Sequence, residues 1–123
     1  MHKIGISEGA IADLSWADPA AKALGLEIHV VSIATPEDVA KNLVGMDALV
    51  VSLQKVNAEV IAALPDSVKC VGRLGVGLDN IDLEAAKSHK LPVIFQPTYA
   101  YNEVANHAIS MIMALHRGLM TAS

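Results

Sequence analysis

The residues best suited to chemistry form one short segment, Arg-Leu-Gly-Val-Gly-Leu-Asp-Asn-Ile-Asp, at positions 73–82. Gly75 and Gly77 allow a sharp turn and leave backbone N–H groups uncovered by any Cβ atom. Such a turn binds an anion, for example a carboxylate, through main-chain donors alone. The alternative is a tight strand-to-helix connection in which both glycines only satisfy backbone geometry. A dinucleotide-binding fingerprint is excluded because it requires a glycine where Asn80 stands.

No other grouping of residues in the sequence predicts a catalytic or metal centre. Cys70 lies in an apolar strand pattern, which disfavours a role as a nucleophile. Glu103 and His107 are four positions apart, and this spacing favours an exposed pair on one helix face over a metal site. We therefore assign no catalytic residue and no metal ligand to this sequence.

Composition restricts the class of protein. The 123 residues are 53% apolar, with 9 basic and 13 acidic side chains, so the net charge of −4 disfavours binding to nucleic acid. Apolar runs all fall short of the roughly 18 residues that a membrane span requires. The N-terminus predicts a strand instead of a signal peptide, and the single cysteine indicates a reducing cytoplasm.

The segments that would position the glycine turn alternate between strand and helix patterns. Strands are predicted at residues 3–7, 26–33, 48–53, 68–71 and 92–95. The first helix is predicted to begin at Asp18-Pro19, with Asp18 as its N-cap, and to stop at Gly25. Further helices are predicted to begin at Thr35 (stopping at Gly45), at Asn57 and at Asp82, and the longest helix covers residues 102–119.

Strict alternation of short apolar strands with capped helices predicts a parallel sheet covered on both faces. The simplest arrangement is an α/β fold, a flavodoxin-like doubly wound five-stranded parallel sheet of order 2-1-3-4-5, with a long C-terminal helix. Residues 1–123 contain no linker or repeat and are expected to form a single domain.

Ligands of such sheets bind at the carboxyl ends of the strands, where the glycine turn would lie. Two relatives with this fold are excluded there. A receiver domain needs an aspartate at the end of strand three, where Ser52 and Gln54 stand instead. In a flavodoxin, Glu8 after strand one would repel the phosphate of FMN.

Three motifs resemble the D-isomer-specific 2-hydroxyacid dehydrogenases: residues 73–82 above, Pro-Val-Ile-Phe-Gln-Pro at 92–97 and Asn-Glu-Val-Ala-Asn-His-Ala at 102–108. The resemblance follows the order of elements along nearly the whole chain. Members of that family pair a flavodoxin-like substrate domain with an NAD-binding Rossmann domain. This sequence looks like the substrate domain as far as the crossover helix. The family pattern often has an acid where Asn106 stands, so a local contact is altered there.

The resemblance implies that the turn at Gly75 binds the substrate carboxylate through the amides of Val76 and Gly77, and that Tyr99 lies at the substrate pocket. Tyr99 could equally be a rim aromatic with its hydroxyl in water. The family's substrate-binding arginine, catalytic histidine and coenzyme fingerprint all have no counterpart here. The chain is thus expected to bind no cofactor, although full-length members use NAD or NADP.

Two functions remain open, and a third, an unrelated small enzyme that uses the same pocket, ranks lowest because the sequence offers no nucleophile–base pair and no set of metal ligands. The first is the substrate-binding domain of a D-2-hydroxyacid dehydrogenase, which binds small 2-hydroxy or 2-oxo acids weakly and is inactive alone. The second is a non-catalytic dimerisation or interaction module that kept the fold. The predicted helix at 102–119 carries two adjacent apolar stripes, wider than the stripe needed to cover its own sheet. We therefore predict a homodimer through this helix, formed by packing two copies or by exchanging them between protomers.

Overall fold

The computed structural model describes residues 1–122, and its sheet has the predicted topology. The strands are β1 (His2–Ser7), β2 (Leu26–Val31), β3 (Ala48–Val51), β4 (Cys70–Arg73) and β5 (Val93–Phe95). All neighbouring pairs are parallel, in the order β2-β1-β3-β4-β5. This confirms the doubly wound α/β fold and brings the carboxyl ends of all five strands to one edge.

Six helices occur within residues 1–122, one more than predicted. They are α1 (Ala17–Ala23), α2 (Pro36–Asn42), α3 (Ala58–Ala63), α4 (Leu83–Ser88), α5 (Tyr101–His116) and α6 (Leu119–Ala122). The predicted helix at 102–119 was wrong at its C-terminal end. Arg117 is the C-cap of α5, and Gly118 adopts a φ of 61°, a left-handed conformation that ends one helix before α6 begins.

Helix starts follow local hydrogen bonding. Thr35 Oγ1 accepts from the backbone N–H of Asp38 at 3.1 Å, and the Asp38 carboxylate accepts from the N–H of Thr35 at 3.2 Å, which completes a capping box. Asn57 and Asp82 cap α3 and α4 as predicted. Asp18 as the N-cap of α1 was wrong. Its N–H donates to the Leu14 carbonyl at 3.2 Å, so the chain already turns before Asp18.

The core lies between one face of the sheet and helices α2, α3 and α4. Parallel register places Leu49 beside Val71 and Val51 beside Arg73, and Leu49, Val51 and Val71 are fully buried. The remaining core side chains come mainly from the covering helices and their flanking loops: Val39, Leu43, Met46, Val56, Val60, Ile61, Val68, Ile81 and Ala86. This packed face is the rigid support for the loops at the carboxyl edge.

The opposite face of the sheet is only partly covered. Helix α1 packs against β2, and Ile6 and Ala21 are buried there. The row of register partners that contains Ile6 is open at both ends, since Val30 is 59% and Ile94 58% exposed. Neither apolar stripe of α5 covers this face, because α5 has no buried residue and packs mainly against α6.

Candidate functional site

The glycine turn lies at the carboxyl end of β4, as predicted. The Leu74 N–H donates to the Val51 carbonyl at 2.8 Å, which extends the pairing of β3 with β4 up to the turn. The backbone N–H groups of residues 75–80 donate no hydrogen bond to any atom of residues 1–122. Six consecutive unbonded donors at a strand end suit binding of an anion.

The two glycines of the turn serve different needs. Gly75 adopts a φ of 136°, a conformation that side-chain-bearing residues rarely adopt. Gly77 has no positive φ, but a Cβ at this position would lie 2.9 Å from Oδ1 of Asp79. Gly75 therefore sets the course of the backbone, and Gly77 leaves room for the Asp79 carboxylate.

Arg73 adds a positive charge to the turn, a contribution that the sequence reasoning missed. A Cβ at Gly75 would lie 1.5 Å from Nη1 of Arg73, so the guanidinium covers that side of the glycine. The same Nη1 donates to the Leu74 carbonyl at 3.0 Å, while Nε is buried without a partner among the described residues. The available signal was an arginine at the strand end, two positions before the first glycine.

The structure brings Tyr99 to the same place. Arg73, Leu74, Gly75, Gln96 and Tyr99 line a cavity of about 330 Å³ at the carboxyl ends of β4 and β5. Val76 lines a neighbouring cavity of about 390 Å³ against the first turns of α5. Gly77 lines neither of these cavities. Of the predicted residues, Gly75 and Tyr99 therefore share the cavity that also contains the arginine, Val76 lines the adjoining one, and Gly77 lies outside both.

Electrostatics differ along the turn. The Arg73 guanidinium lies at its Gly75 end, whereas the Asp79 carboxylate lies beside Gly77. An incoming carboxylate is attracted at the first end and repelled at the second. The cavity shared by Arg73, Gly75 and Tyr99 is thus the better part of the turn for an acid.

The other sequence candidates do not form reactive sites. Burial raises the pKa of the Cys70 thiol, which lowers the thiolate fraction at neutral pH. Glu103 and His107 both lie on the exposed surface of α5, and no ion pair joins them. Within residues 1–122, no three His, Cys, Asp or Glu side chains are grouped to hold a metal ion, and no helix is long and apolar enough to cross a membrane.

A dinucleotide does not fit the glycine turn. Pyrophosphate binding needs an open helix N-terminus after the turn. Here the Asp82 carboxylate occupies the N-terminus of α4, where it accepts from the N–H of Ala85 at 2.9 Å. With Asp79 also beside the turn, two carboxylates would repel a pyrophosphate.

The sheet order and the alternating helices together define a doubly wound α/β domain. More specifically, the chain belongs to the D-isomer specific 2-hydroxyacid dehydrogenase family, because the profile of that family's catalytic domain matches residues 10–122. This confirms the resemblance carried by the three sequence motifs.

Sequence relatives include several D-3-phosphoglycerate dehydrogenases. The chain is 40% identical over 89 residues to D-3-phosphoglycerate dehydrogenase 2, chloroplastic, of Arabidopsis thaliana, covering 72% of this chain and 14% of that protein. Identity to the D-3-phosphoglycerate dehydrogenase of Archaeoglobus fulgidus is 37% over 99 residues, covering 80% of this chain and 19% of that protein. The chain therefore matches less than a fifth of the length of these two relatives.

Solved structures extend the likeness over nearly the whole chain. D-lactate dehydrogenase from Escherichia coli superposes with a TM-score of 0.76 at 26% identity, covering 98% of this chain and 39% of that one. The cofactor (NAD+) bound 3-phosphoglycerate dehydrogenase of Entamoeba histolytica gives a TM-score of 0.71 at 27% identity, covering 92% and 38%. The chain corresponds to one part of these larger enzymes.

Proposed function

We propose that this chain is the substrate-binding part of a D-2-hydroxyacid dehydrogenase and binds the carboxylate of a small 2-hydroxy or 2-oxo acid at the glycine turn. The unbonded amides of residues 75–80 carry the proposal. The Arg73 guanidinium supplies the complementary charge, and Tyr99 borders the cavity that receives the rest of the acid. The family membership and the names of the relatives supply the class of ligand.

We expect the acid to bind weakly at this site. Val76 and Gly77 are exposed, and each hydrogen bond from an exposed amide contributes only about 1 kcal/mol after desolvation. Association itself costs more than two such bonds return. We therefore expect dissociation constants in the millimolar range.

We propose that these residues do not catalyse hydride transfer by themselves. The glycine turn does not fit a dinucleotide, and the sequence holds no counterpart of the family's catalytic histidine. In full-length relatives the coenzyme supplies the hydride. We expect residues 1–123 alone to show no turnover of pyruvate, D-lactate or D-3-phosphoglycerate with NAD(H) or NADP(H).

Amide NMR tests the proposed site directly. Titration of ¹⁵N-labelled protein with oxamate, an unreactive 2-oxo acid analogue, should first move the signals of residues 75–78. Acetamide, which lacks the carboxylate, should leave them in place at the same concentrations. Shifts confined to residues distant from the turn would refute this assignment, and reproducible turnover by the purified chain would refute the expected inactivity.

The second candidate function is an interaction module that acts through α5, and a specific observation favours it. Fifteen of the sixteen residues of α5 are exposed in the protomer and Ala114 is half-buried. Ile109, Ile112 and Leu115 are 59%, 64% and 75% exposed. Leaving such side chains in water forgoes roughly 1.5–3 kcal/mol each. A homodimer built on α5, by packing or exchange of helices, would recover this energy.

The mass in solution tests the dimer. Light scattering at micromolar concentration should give twice the monomer mass for the natural sequence and the monomer mass for Ile112→Lys. Ser110→Lys, on the same helix, adds the same charge at a polar position and should leave the dimer intact. A monomeric natural sequence would contradict the dimer.

A cytoplasmic location remains a prediction from the cysteine count.

A further inference from the structure

Three loops at the carboxyl edge of the sheet are joined by two amide side chains. The Asn80 side-chain amide, after β4, donates both of its N–H groups, to the Ser52 carbonyl at 3.0 Å and to the Gln54 carbonyl at 2.8 Å, both after β3. Gln54 in turn donates from Nε2 to the Glu8 carbonyl after β1 at 2.8 Å. Gln54 Oε1 accepts from the N–H of Ser52 at 2.9 Å.

The two neighbouring carbonyl groups fix the orientation of the Asn80 side-chain amide. Its Nδ2 faces two carbonyl oxygens, and the opposite orientation would place an oxygen against both of them. Oδ1 is buried without a partner in residues 1–122. An unpaired buried acceptor is costly, so the two donated hydrogen bonds must outweigh it.

Asn80 lies where the glycine turn ends. Its backbone carbonyl accepts from the N–H of Val56 at 2.8 Å, and the carbonyl of Val56 accepts from the N–H of Asp82 at 2.9 Å. The turn is therefore held to the loop after β3 at this end, and by the Leu74 to Val51 bond at its start. Between these anchors the turn is supported by one internal backbone hydrogen bond. It runs from the Ile81 N–H to the Leu78 carbonyl at 3.0 Å.

We infer that Asn80 is a positioning residue, which holds the unbonded amides of the glycine turn in the arrangement that receives a carboxylate. This inference rests on the proposed function. Donors that are already oriented lose less entropy when the anion binds. The Asn80 hydrogen bonds at the end of the turn and the Leu74 to Val51 bond at its start therefore raise the affinity for the anion without contacting it. Gln54 extends the same support to the loop after β1.

Asn80→Leu tests the inference without changing the charge beside the turn. It removes both N–H donors and keeps a similarly branched side chain, so the anchor is lost. The affinity for oxamate, followed at the amides of residues 75–78, should fall at least tenfold. Asn57→Ala is the control: it removes the N-cap of α3, in which Asn57 Oδ1 accepts from the N–H of Val60 at 3.0 Å, and leaves the anchor in place. Its oxamate affinity should stay within twofold of the natural sequence.

The comparison separates positioning from stability, because both variants should lower the melting temperature and only Asn80→Leu should weaken oxamate binding. If Asn80→Leu does not fold, Asn80→Ser, which retains one short donor, should give an intermediate loss. An oxamate affinity equal to that of the natural sequence in the folded Asn80 variant overturns the inference alone. Absence of oxamate binding by the natural sequence overturns the proposed function and this inference together.

Discussion

The guanidinium of Arg73 occupies the space into which a side chain at Gly75 would project. A Cβ there would lie 1.5 Å from Nη1, and Gly75 also adopts a φ of 136°. The absence of a side chain at position 75 thus serves two purposes: it permits the backbone turn, and it lets the cation lie against the turn.

Gly75→Ala should therefore lose both stability and acid binding. A left-handed conformation costs a residue with a side chain about 1–3 kcal/mol in the free energy of unfolding, and displacement of Arg73 removes the nearby charge. Urea denaturation and oxamate titration measure the two effects. Gly45→Ala is the control, since Gly45 has a φ of 75° and an added Cβ would meet no atom within 4 Å. It should lose stability but keep binding; equal binding in both variants would contradict the role of Gly75.

Arg73→Gln should weaken acid binding with little effect on folding. The side chain is partly exposed, and loss of a charge-assisted interaction of about 1.5 kcal/mol corresponds to roughly a tenfold weaker oxamate complex. Arg117→Gln makes the same change in net charge at the C-cap of α5. NMR titration with oxamate compares the affinities of the two variants. Equally weakened binding in both would show that Arg73 acts only through overall charge.

Asp79→Asn should strengthen acid binding. The exposed carboxylate beside Gly77 repels an anion at the turn, and an exposed interaction of about 0.5–1 kcal/mol corresponds to a roughly two- to fivefold change in affinity. Asp66→Asn, before β4 at the opposite edge of the sheet, provides the same change in net charge. A gain of similar size in both variants would exclude a local effect.

Thr35→Ala should destabilise the domain without affecting the site. Loss of the capping box of α2 is expected to lower the free energy of unfolding by about 1 kcal/mol. Thr121→Ala removes a hydroxyl that donates to the Gly118 carbonyl near the C-terminus, and should change stability by less than about 0.5 kcal/mol. Urea denaturation compares the two; altered oxamate binding in Thr35→Ala would be unexpected.

Asp47 should contribute to acid denaturation. The backbone N–H of Lys3 donates to its carboxylate at 2.8 Å and holds the pKa of Asp47 below its usual value. A lowered folded-state pKa means that this stabilisation is present above the usual pKa of about 3.9 and is lost as the pH falls through the folded value. Urea denaturation between about pH 2 and pH 6 should therefore show a weaker acid dependence for Asp47→Asn. An unchanged profile would contradict this role.

Much of the fold was determined by the sequence through local interactions. The capping residues Thr35, Asn57 and Asp82 start their helices as predicted, because each cap bonds to an N–H within its own first turn. Apolar runs of β-branched residues predicted the five strands, and their alternation with helices predicted the order of the sheet. The turn at Gly75 was recognisable because a positive φ favours glycine wherever it occurs.

Tertiary structure alone decided the features that depend on distant residues. Pairing with β3 moved the fourth strand from the predicted 68–71 to Cys70–Arg73, which placed Arg73 at the turn. The cavity between Gly75 and Tyr99 and the hydrogen bonds from Asn80 to the loop after β3 join segments about 25 residues apart. The position of α5 away from its own sheet likewise follows from the packing of the whole domain, because an apolar stripe specifies that a helix needs a partner but not which surface supplies it.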